Sequence, residues 1–198
     1  MRRKTIFLFN GPPGCGKDAA CAEIMQLDPE TIYAYYKEWL YEKSAEILNI
    51  EYNFWQKICQ DVVLKDMPFL KQMTGEYNSP RELLIKVAET ILKPTFGHDC
   101  IAAKMVERLK EKVKDLDHYT VVVPDVGFPE ELTLIQENFP DVNIVLVHIK
   151  RPGCSYVNDS RTYVGEPNVV LDNSGSFESF KKAVFDLYLQ EKYTPFED

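Results

Sequence analysis

This chain of 198 residues has little cysteine, little arginine and no long apolar run, and each shortage excludes a class of protein. Its five cysteines, Cys15, Cys21, Cys59, Cys100 and Cys154, are scattered and odd in number. No CxxC pair occurs and no cysteine–histidine set has zinc-ligand spacing, which excludes a disulfide framework or structural zinc and predicts reduced thiols. The opening MRRKTIFLFN begins like a secretory leader, but its apolar stretch covers only Ile6 to Phe9. That is too short for a leader, and no later stretch could span a bilayer, so a cytoplasmic location is expected. Lysine and arginine number 23 against 31 acidic residues, a net charge of −8. This argues against a nucleic-acid polymer or an anionic membrane as partner, while a single nucleotide needs only a local basic cluster. Internal repeats and low-complexity segments are also absent.

What is present is alternation. Thr5 to Phe9 is uniformly apolar, the pattern of a strand buried on both faces of a parallel sheet. A glycine-rich turn and a helix over Asp18 to Gln26 follow, broken at Leu27-Asp28-Pro29. Aromatic-rich helical stretches are predicted over Tyr33 to Leu48 and Phe54 to Lys65. Another starts at Ser79-Pro80 and stops at Pro94, and a fourth runs from Ala102 to Asp117. Strands are predicted at Tyr119 to Val123, Asn143 to Ile149 and Asn168 to Leu171, with helices over Glu130 to Asn138 and after Asn173-Ser174-Gly175. Strands alternating with helices predict an α/β fold with a parallel sheet flanked by helices. Residues 1–198 form a single domain in this reading. Its core covers about 1–30 and 118–198, its helical insert about 31–117, and a mobile loop about 151–167.

The turn after the first strand reads GPPGCGKD, Gly11 to Asp18. In the GxxxxGK[ST] pattern small residues let successive backbone N–H groups face phosphate oxygens, the helix start adds its positive dipole end, and the lysine reaches the β- and γ-phosphates. Gly11, Pro12, Gly14, Cys15, Gly16, Lys17, Asp18 and Ala19 are therefore the candidate ATP-binding residues. Asp18 replaces the hydroxyl that normally meets Mg²⁺; an aspartate there can bind the ion directly, act through water or favour the helix start. Val121-Val122-Val123-Pro124-Asp125, an apolar strand ending in an acid, offers Asp125 as a second Mg²⁺ candidate. Phosphoryl transfer also needs cations on the moving group and on the acceptor. The chain has only six arginines, Arg2, Arg3, Arg81, Arg108, Arg151 and Arg161. Arg108 lies among charged neighbours on a helix. Arg81 opens a helix of the insert, and Arg151 and Arg161 lie on the loop that could close over the strand ends.

With these residues the chain resembles the deoxynucleoside monophosphate kinases of tailed bacteriophages, within the P-loop nucleoside-monophosphate kinase superfamily. The likeness runs in separated motifs from about residue 5 to about residue 182. That family has GKD, as Gly16-Lys17-Asp18 does. Ser79-Pro80-Arg81-Glu82-Leu83-Leu84 is similar to its TPRxxLQ segment, followed by Glu89, then Phe96-Gly97 and Asp99. Asp125 to Glu131 is similar to DVRFxNE, with Gly127 where the family usually has arginine. Arg151-Pro152-Gly153 resembles the start of its lid, and Asn158-Asp159-Ser160-Arg161 stands where a DxHxSE-like sequence is common. Asp172 to Ser176 resembles an NDGT turn that places Asn173 and Gly175 near the adenine.

The resemblance implies a P-loop NTPase fold of three layers with a helical substrate-binding insert. It implies the reaction ATP + dNMP → ADP + dNDP with Mg²⁺, located in the host cytoplasm if the chain is viral. Lys17, Arg151 and Arg161 would act on the transferred group. Arg81, Glu89 and Asp125 would serve the acceptor, and Tyr36 and Trp39 of the aromatic-rich insert either stack its base or pack the insert. The small-molecule partners are then ATP and a deoxynucleoside monophosphate, and a homodimer stays open. Two other readings keep the loop: a phosphomevalonate-kinase-like enzyme, since animal-type phosphomevalonate kinases also carry GKD, and a non-catalytic nucleotide-binding module. A GTPase or motor ATPase is disfavoured because no NKxD segment occurs and Val126, not glutamate, follows Asp125.

Overall fold

In the computed structural model residues 3–157 and 159–193 are described, so Arg2 and Asn158 of the sequence reading lie outside the described residues. The first strand, β1 (Lys4–Asn10), buries every residue after Lys4. Successive side chains of a strand point to opposite faces, so a run of this kind needs cover on both. It leads through the glycine-rich turn into α1 (Lys17–Leu27). The helix expected from Tyr33 does not start there: Ile32–Tyr33 form a short strand, β2, paired in parallel with Val121 and Val122. Ala34 N extends the pairing by donating to Val122 O at 3.1 Å. The run Thr31 to Tyr35 is rich in β-branched and aromatic residues, and its strand character needs a partner 89 residues away that local periodicity does not reveal.

Residues 36–105 form one compact unit and the remainder of the chain another. The first of these is helical: α2 (Glu38–Leu48), α3 (Tyr52–Gln60), α4 (Leu70–Thr74), α5 (Pro80–Lys86) and α6 (Lys93–Phe96). Its interior holds Leu40, Tyr41 and Ala45, then Trp55, Ile58, Leu70, Leu83, Val87 and Leu92, and Trp55 Nε1 donates to Ser44 Oγ at 2.6 Å. The single helix expected over Phe54 to Lys65 is interrupted. Asp61 ends α3, and its carboxylate accepts from Val63 N and Leu64 N at 2.8 and 2.9 Å. Such local bonds compete with the helical ladder. Pro94 does not stop the next helix either. A π-helical stretch, Val87–Leu92, joins α5 to α6 and places Pro94 in the first turn of α6, where its missing N–H costs little. Gly97, at φ 101°, ends the path.

Helix α7 (Cys100–Val113) carries the chain back, ending short of the expected Asp117. Then come β3 (Tyr119–Val126), α8 (Pro129–Asn138), β4 (Asn143–Lys150), β5 (Val169–Asp172) and α9 (Phe177–Tyr193). All five strands are parallel, in the order β2-β3-β1-β4-β5. Phe7, Phe9, Val145, Val147 and Ile149 form one buried cluster with Ala20 and Ile24 of α1 and Phe180, Val184 and Leu187 of α9. Ile6, Leu8, Val121 and Val123, of opposite parity, are equally buried. The fold is thus α/β, a parallel sheet flanked by helices. Strand β3 also runs past its expected end at Val123: Leu8 pairs with Val123 but Asn10 with Val126, so β3 carries one extra residue at Pro124-Asp125. Proline has no ladder donor to lose in such a bulge, and bulges re-aim side chains at sheet ends.

Candidate functional site

The turn between β1 and α1 is shaped by what its glycines lack. A Cβ on Gly11 would stand 2.7 Å from Ile149 O and 2.6 Å from Cys15 Sγ, and one on Gly16 would stand 2.7 Å from Asn173 Nδ2. Gly14 and Gly16 also have φ of 78° and 116°, in the left-handed region. Gly16 precedes α1 without a side chain to cap it, so the first N–H groups of that helix face the turn. Lys17 folds back over the loop, its Nζ donating to Gly11 O at 2.6 Å and Pro12 O at 2.9 Å. Only 8% of Lys17 is exposed. Burial lowers its pKa first; Cys15, Asp18 and Asp125 oppose that, and Arg161 adds to it. Burial likewise raises the Cys15 thiol. Asp18 is exposed and Ala19 half-buried on the first turn of α1.

At the carboxyl ends of the strands sits a residue the sequence reading passed over. Asn10 is fully buried. Its Nδ2 donates to Val126 O, Thr162 O and Tyr156 Oη at 2.9 to 3.0 Å, and its Oδ1 accepts from Val164 N at 2.9 Å. One amide thereby ties β1 to the end of β3 and to the loop after β4. Asn10→Ala would leave several of these groups buried and unpaired, and is expected to destabilise the chain by about 2–3 kcal/mol. Urea unfolding with an unchanged m-value measures this; a loss under about 1 kcal/mol would remove Asn10 as the tie.

Glu131 also escaped the list of candidate residues, although it ends the DVGFPEE segment. Its carboxylate is 7% exposed and accepts from Gly127 N and Phe128 N at 2.7 and 3.0 Å. Burial first, and then the charge of Asp125, push its pKa up to about 8. Between the ordinary glutamate value and about 8, the native state holds a proton that the unfolded state has lost. Stability from this group therefore falls as pH rises, by about 1.4 kcal/mol per pH unit. Glu131→Gln, which cannot ionise, should flatten that slope, so its thermal midpoint relative to the parent should rise from pH 5 to pH 8. A difference independent of pH would show that Glu131 is ionised throughout.

The loop after β4 has no regular element but is held at many points. Arg151 Nη1 donates to Gly14 O at 3.0 Å. Tyr163 Oη donates to Ile149 O at 2.9 Å, and His148 Nε2 donates to Val164 O at 3.0 Å, which assigns the proton to that nitrogen. Arg161 pairs with Asp159, Nε to Oδ1 at 2.9 Å and Nη2 to Oδ2 at 2.6 Å. Beyond β5, Asn173 Nδ2 donates to Cys15 O and its N–H to Lys150 O, both at 2.8 Å. Gly175 follows in an exposed turn, where a Cβ would meet Ser179 Oγ at 2.7 Å. Lys17, Arg151, Arg161, Asp125 and Asn173 thus gather around the Gly11–Asp18 turn, at the carboxyl ends of the strands where open parallel sheets place ligands.

The remaining candidates belong to the helical unit. Arg81 pairs with Asp66, Nε to Oδ1 at 2.5 Å and Nη2 to Oδ2 at 3.1 Å, about half exposed, and holds that carboxyl below its usual range. Glu89, in the π-helical stretch, pairs with Lys93 at 2.6 Å. Tyr36 is 2% exposed, so its ring is covered. Trp39 is half-buried and meets Phe96 edge-on with centroids 5.4 Å apart.

A cavity of about 480 Å³ lies elsewhere, at the amino ends of β1 and β3, lined by Asp28, Tyr119, Tyr188 and Lys192 among others. Asp28 accepts there from Tyr188 Oη at 2.7 Å and Lys192 Nζ at 3.0 Å. It is a notch at the opposite ends of the strands from the glycine-rich turn. Among the described residues no group of three or more His, Cys, Asp or Glu could hold a metal. Mg²⁺ carried with phosphates would need only one or two protein carboxylates, and the charges of Asp18 and Asp125 both act on Lys17. The five cysteines are free, four of them buried. No described helix is long and apolar enough to cross a membrane.

No protein-family model and no curated protein matches the chain. Solved structures do. TT1252 from Thermus thermophilus is 14% identical with a TM-score of 0.51, over 96% of this chain and 98% of that one. The Cys556Ala mutant of the Mycobacterium tuberculosis APS kinase CysC is 15% identical with a TM-score of 0.48, over 95% and 99%. Dephospho-CoA kinase from Campylobacter jejuni is 13% identical with a TM-score of 0.47, over 96% and 98%. At 14% identity the likeness to TT1252 is one of fold alone, and it agrees with the α/β architecture expected from the sequence.

Proposed function

We propose that this chain is an ATP-dependent kinase of a small phosphorylated acceptor, and more narrowly that it converts deoxynucleoside monophosphates to diphosphates. The observation that carries the proposal is the buried Lys17 ammonium, held on the loop carbonyls at the start of α1 with Arg151 and Arg161 beside the same turn. A cradle of this kind binds the β- and γ-phosphates of ATP, and two further cations suit a charge that moves. The nucleotide acceptor is favoured by the SPRELL and NSGS segments. Mg²⁺, held through Asp18 or Asp125 with the phosphates, would neutralise charge on the triphosphate.

In the reaction an oxygen of the acceptor's phosphate forms a bond to the γ-phosphorus as the bond to the β-phosphate oxygen breaks, releasing ADP. That oxygen is already anionic, so no general base is required and positioning supplies most of the rate. Gly11, Pro12, Gly14, Cys15, Gly16 and Ala19 would line the triphosphate, with Asn173 and Gly175 toward the adenine. Acceptor recognition falls to Arg81, Glu89, Asp125, Trp39 and Tyr36. For the covered ring of Tyr36 that role requires a shape contact or its hydroxyl rather than stacking.

The test is a coupled ADP-release assay over dTMP, dGMP, dCMP, dAMP, modified pyrimidine monophosphates and phosphomevalonate. ADP release dependent on at least one nucleotide is expected. Release with phosphomevalonate alone would keep the kinase and discard the nucleotide. ATP binding with no acceptor-dependent ADP would leave a non-catalytic module.

A further inference from the structure

Gly127 has no left-handed backbone angle, so the turn itself does not demand glycine there. Space does. A Cβ on residue 127 would stand 2.7 Å from Cδ, 2.8 Å from Cγ and 2.9 Å from Cβ of Arg161, distances that side chains do not tolerate. The stem of Arg161 therefore lies across the bare Cα of Gly127. Thr162 N donates to Gly127 O at 3.2 Å and fixes the crossing. The crossing carries the guanidinium toward the carboxyl ends of β1 and β3, where it repels Lys17 and is attracted by Asp125. Asp159 grips it by two parallel bonds, with side chains only 16% and 14% exposed. An exposed pair on a loop would have little effect, but a largely buried fork fixes direction. A guanidinium has five N–H donors, and Asp159 takes two.

We propose that Gly127, Arg161 and Asp159 work as one phosphate-receiving unit. Gly127 is the gap through which the stem of Arg161 passes. Asp159 is a positioning residue that aims the guanidinium. The remaining N–H groups receive oxygens of a phosphoryl group lying beside Lys17. Any side chain at 127 then excludes Arg161 from the site. The proposal rests on the kinase reading only in taking the ligand to be a polyphosphate.

The experiment is a cycle of four proteins: the parent chain, Gly127→Ala, Arg161→Gly and the double variant. Affinity for inorganic tripolyphosphate is read by calorimetry, which needs neither acceptor nor turnover. Each single change is expected to weaken binding about tenfold, the scale of a charge-assisted hydrogen bond, and the double variant should match Arg161→Gly within about twofold. The Nε–H resonance of Arg161, assigned by its loss in Arg161→Gly, should shift on adding tripolyphosphate and broaden in Asp159→Asn. Three results would overturn the proposal: no tripolyphosphate binding by the parent, undiminished binding by Arg161→Gly, or an equal loss from Gly127→Ala in both backgrounds, which would mean that the turn itself needs glycine. If the cycle behaves as stated but no acceptor yields ADP, the nucleotide-kinase reading fails and this one stands. If an acceptor yields ADP and the cycle is additive, the reverse holds.

Discussion

Lys17→Ala is expected to lower kcat by ~10²–10³-fold, the loss seen when one preorganised donor to a transition-state oxyanion is removed. Lys17 is only 8% exposed, and burial lowers its pKa as the leading effect. A cation kept from water interacts with developing phosphoryl charge far more strongly than one in solvent. Cys15, Asp18 and Asp125 oppose that lowering by favouring its charged form. Stability should change little: alanine removes a buried charge but leaves Gly11 O and Pro12 O, buried acceptors, without that donor. Steady-state kinetics with a thermal melt of both proteins separates the two effects. A variant that keeps more than a tenth of kcat would place the cation elsewhere.

Arg151→Ala should lower kcat by at least ~10²-fold while the apparent affinity for ATP changes far less. The residue follows the end of β4 directly, on an exposed turn closed by the bond from Cys154 N to Arg151 O at 3.1 Å. One guanidinium N–H is spent on Gly14 O, which sets the group against the glycine-rich turn. The side chain is otherwise exposed, and its remaining N–H donors would suit charge spread over the equatorial oxygens of a transferring phosphoryl group. Since the side chain is exposed, the melting curve should stay within about 0.5 kcal/mol of the parent. Arg151→Lys should recover only part of the rate, because an ammonium supplies a point charge without the fork. An unchanged kcat in Arg151→Ala would show that this arginine only buttresses the loop.

Gly127 shows how the two levels of description complement each other. By resemblance it stands where an arginine is usual, a gap in the basic groups near the acceptor. In the structure that gap is filled by the stem of Arg161, 34 residues on. No local pattern could reveal the exchange, since the two residues meet only because the loop after β4 crosses to the end of β3. The aromatic run of the insert was ambiguous for a related reason. Tyr36 and Trp55 are covered while Trp39 is half-buried, and which ring packs and which stays reachable depends on partners in other helices. Arg81, readable as a cation at a helix start, is engaged by Asp66 in the fold.

The sequence by itself determined what depends on short-range chemistry. Apolar and β-branched runs starting at Thr5, Tyr119 and Asn143 specified the parallel strands, and Gly11, Gly14, Gly16 and Lys17 specified the turn between strand and helix. Ser79-Pro80 marked a helix start that the structure shows with Ser79 Oγ accepting from Glu82 N. Only the tertiary structure decided what depends on distant partners. It made Ile32–Tyr33 a strand, because Val121 and Val122 offered an edge. It carried a helical path past Pro94 through a π-helical stretch, and it put an extra residue beside Asp125 in β3. It also set the buried amide of Asn10 and the buried carboxylate of Glu131 at the strand ends. A lone Asn or Glu has no signature until the fold takes it out of water, where each polar group must find a partner or shift its charge.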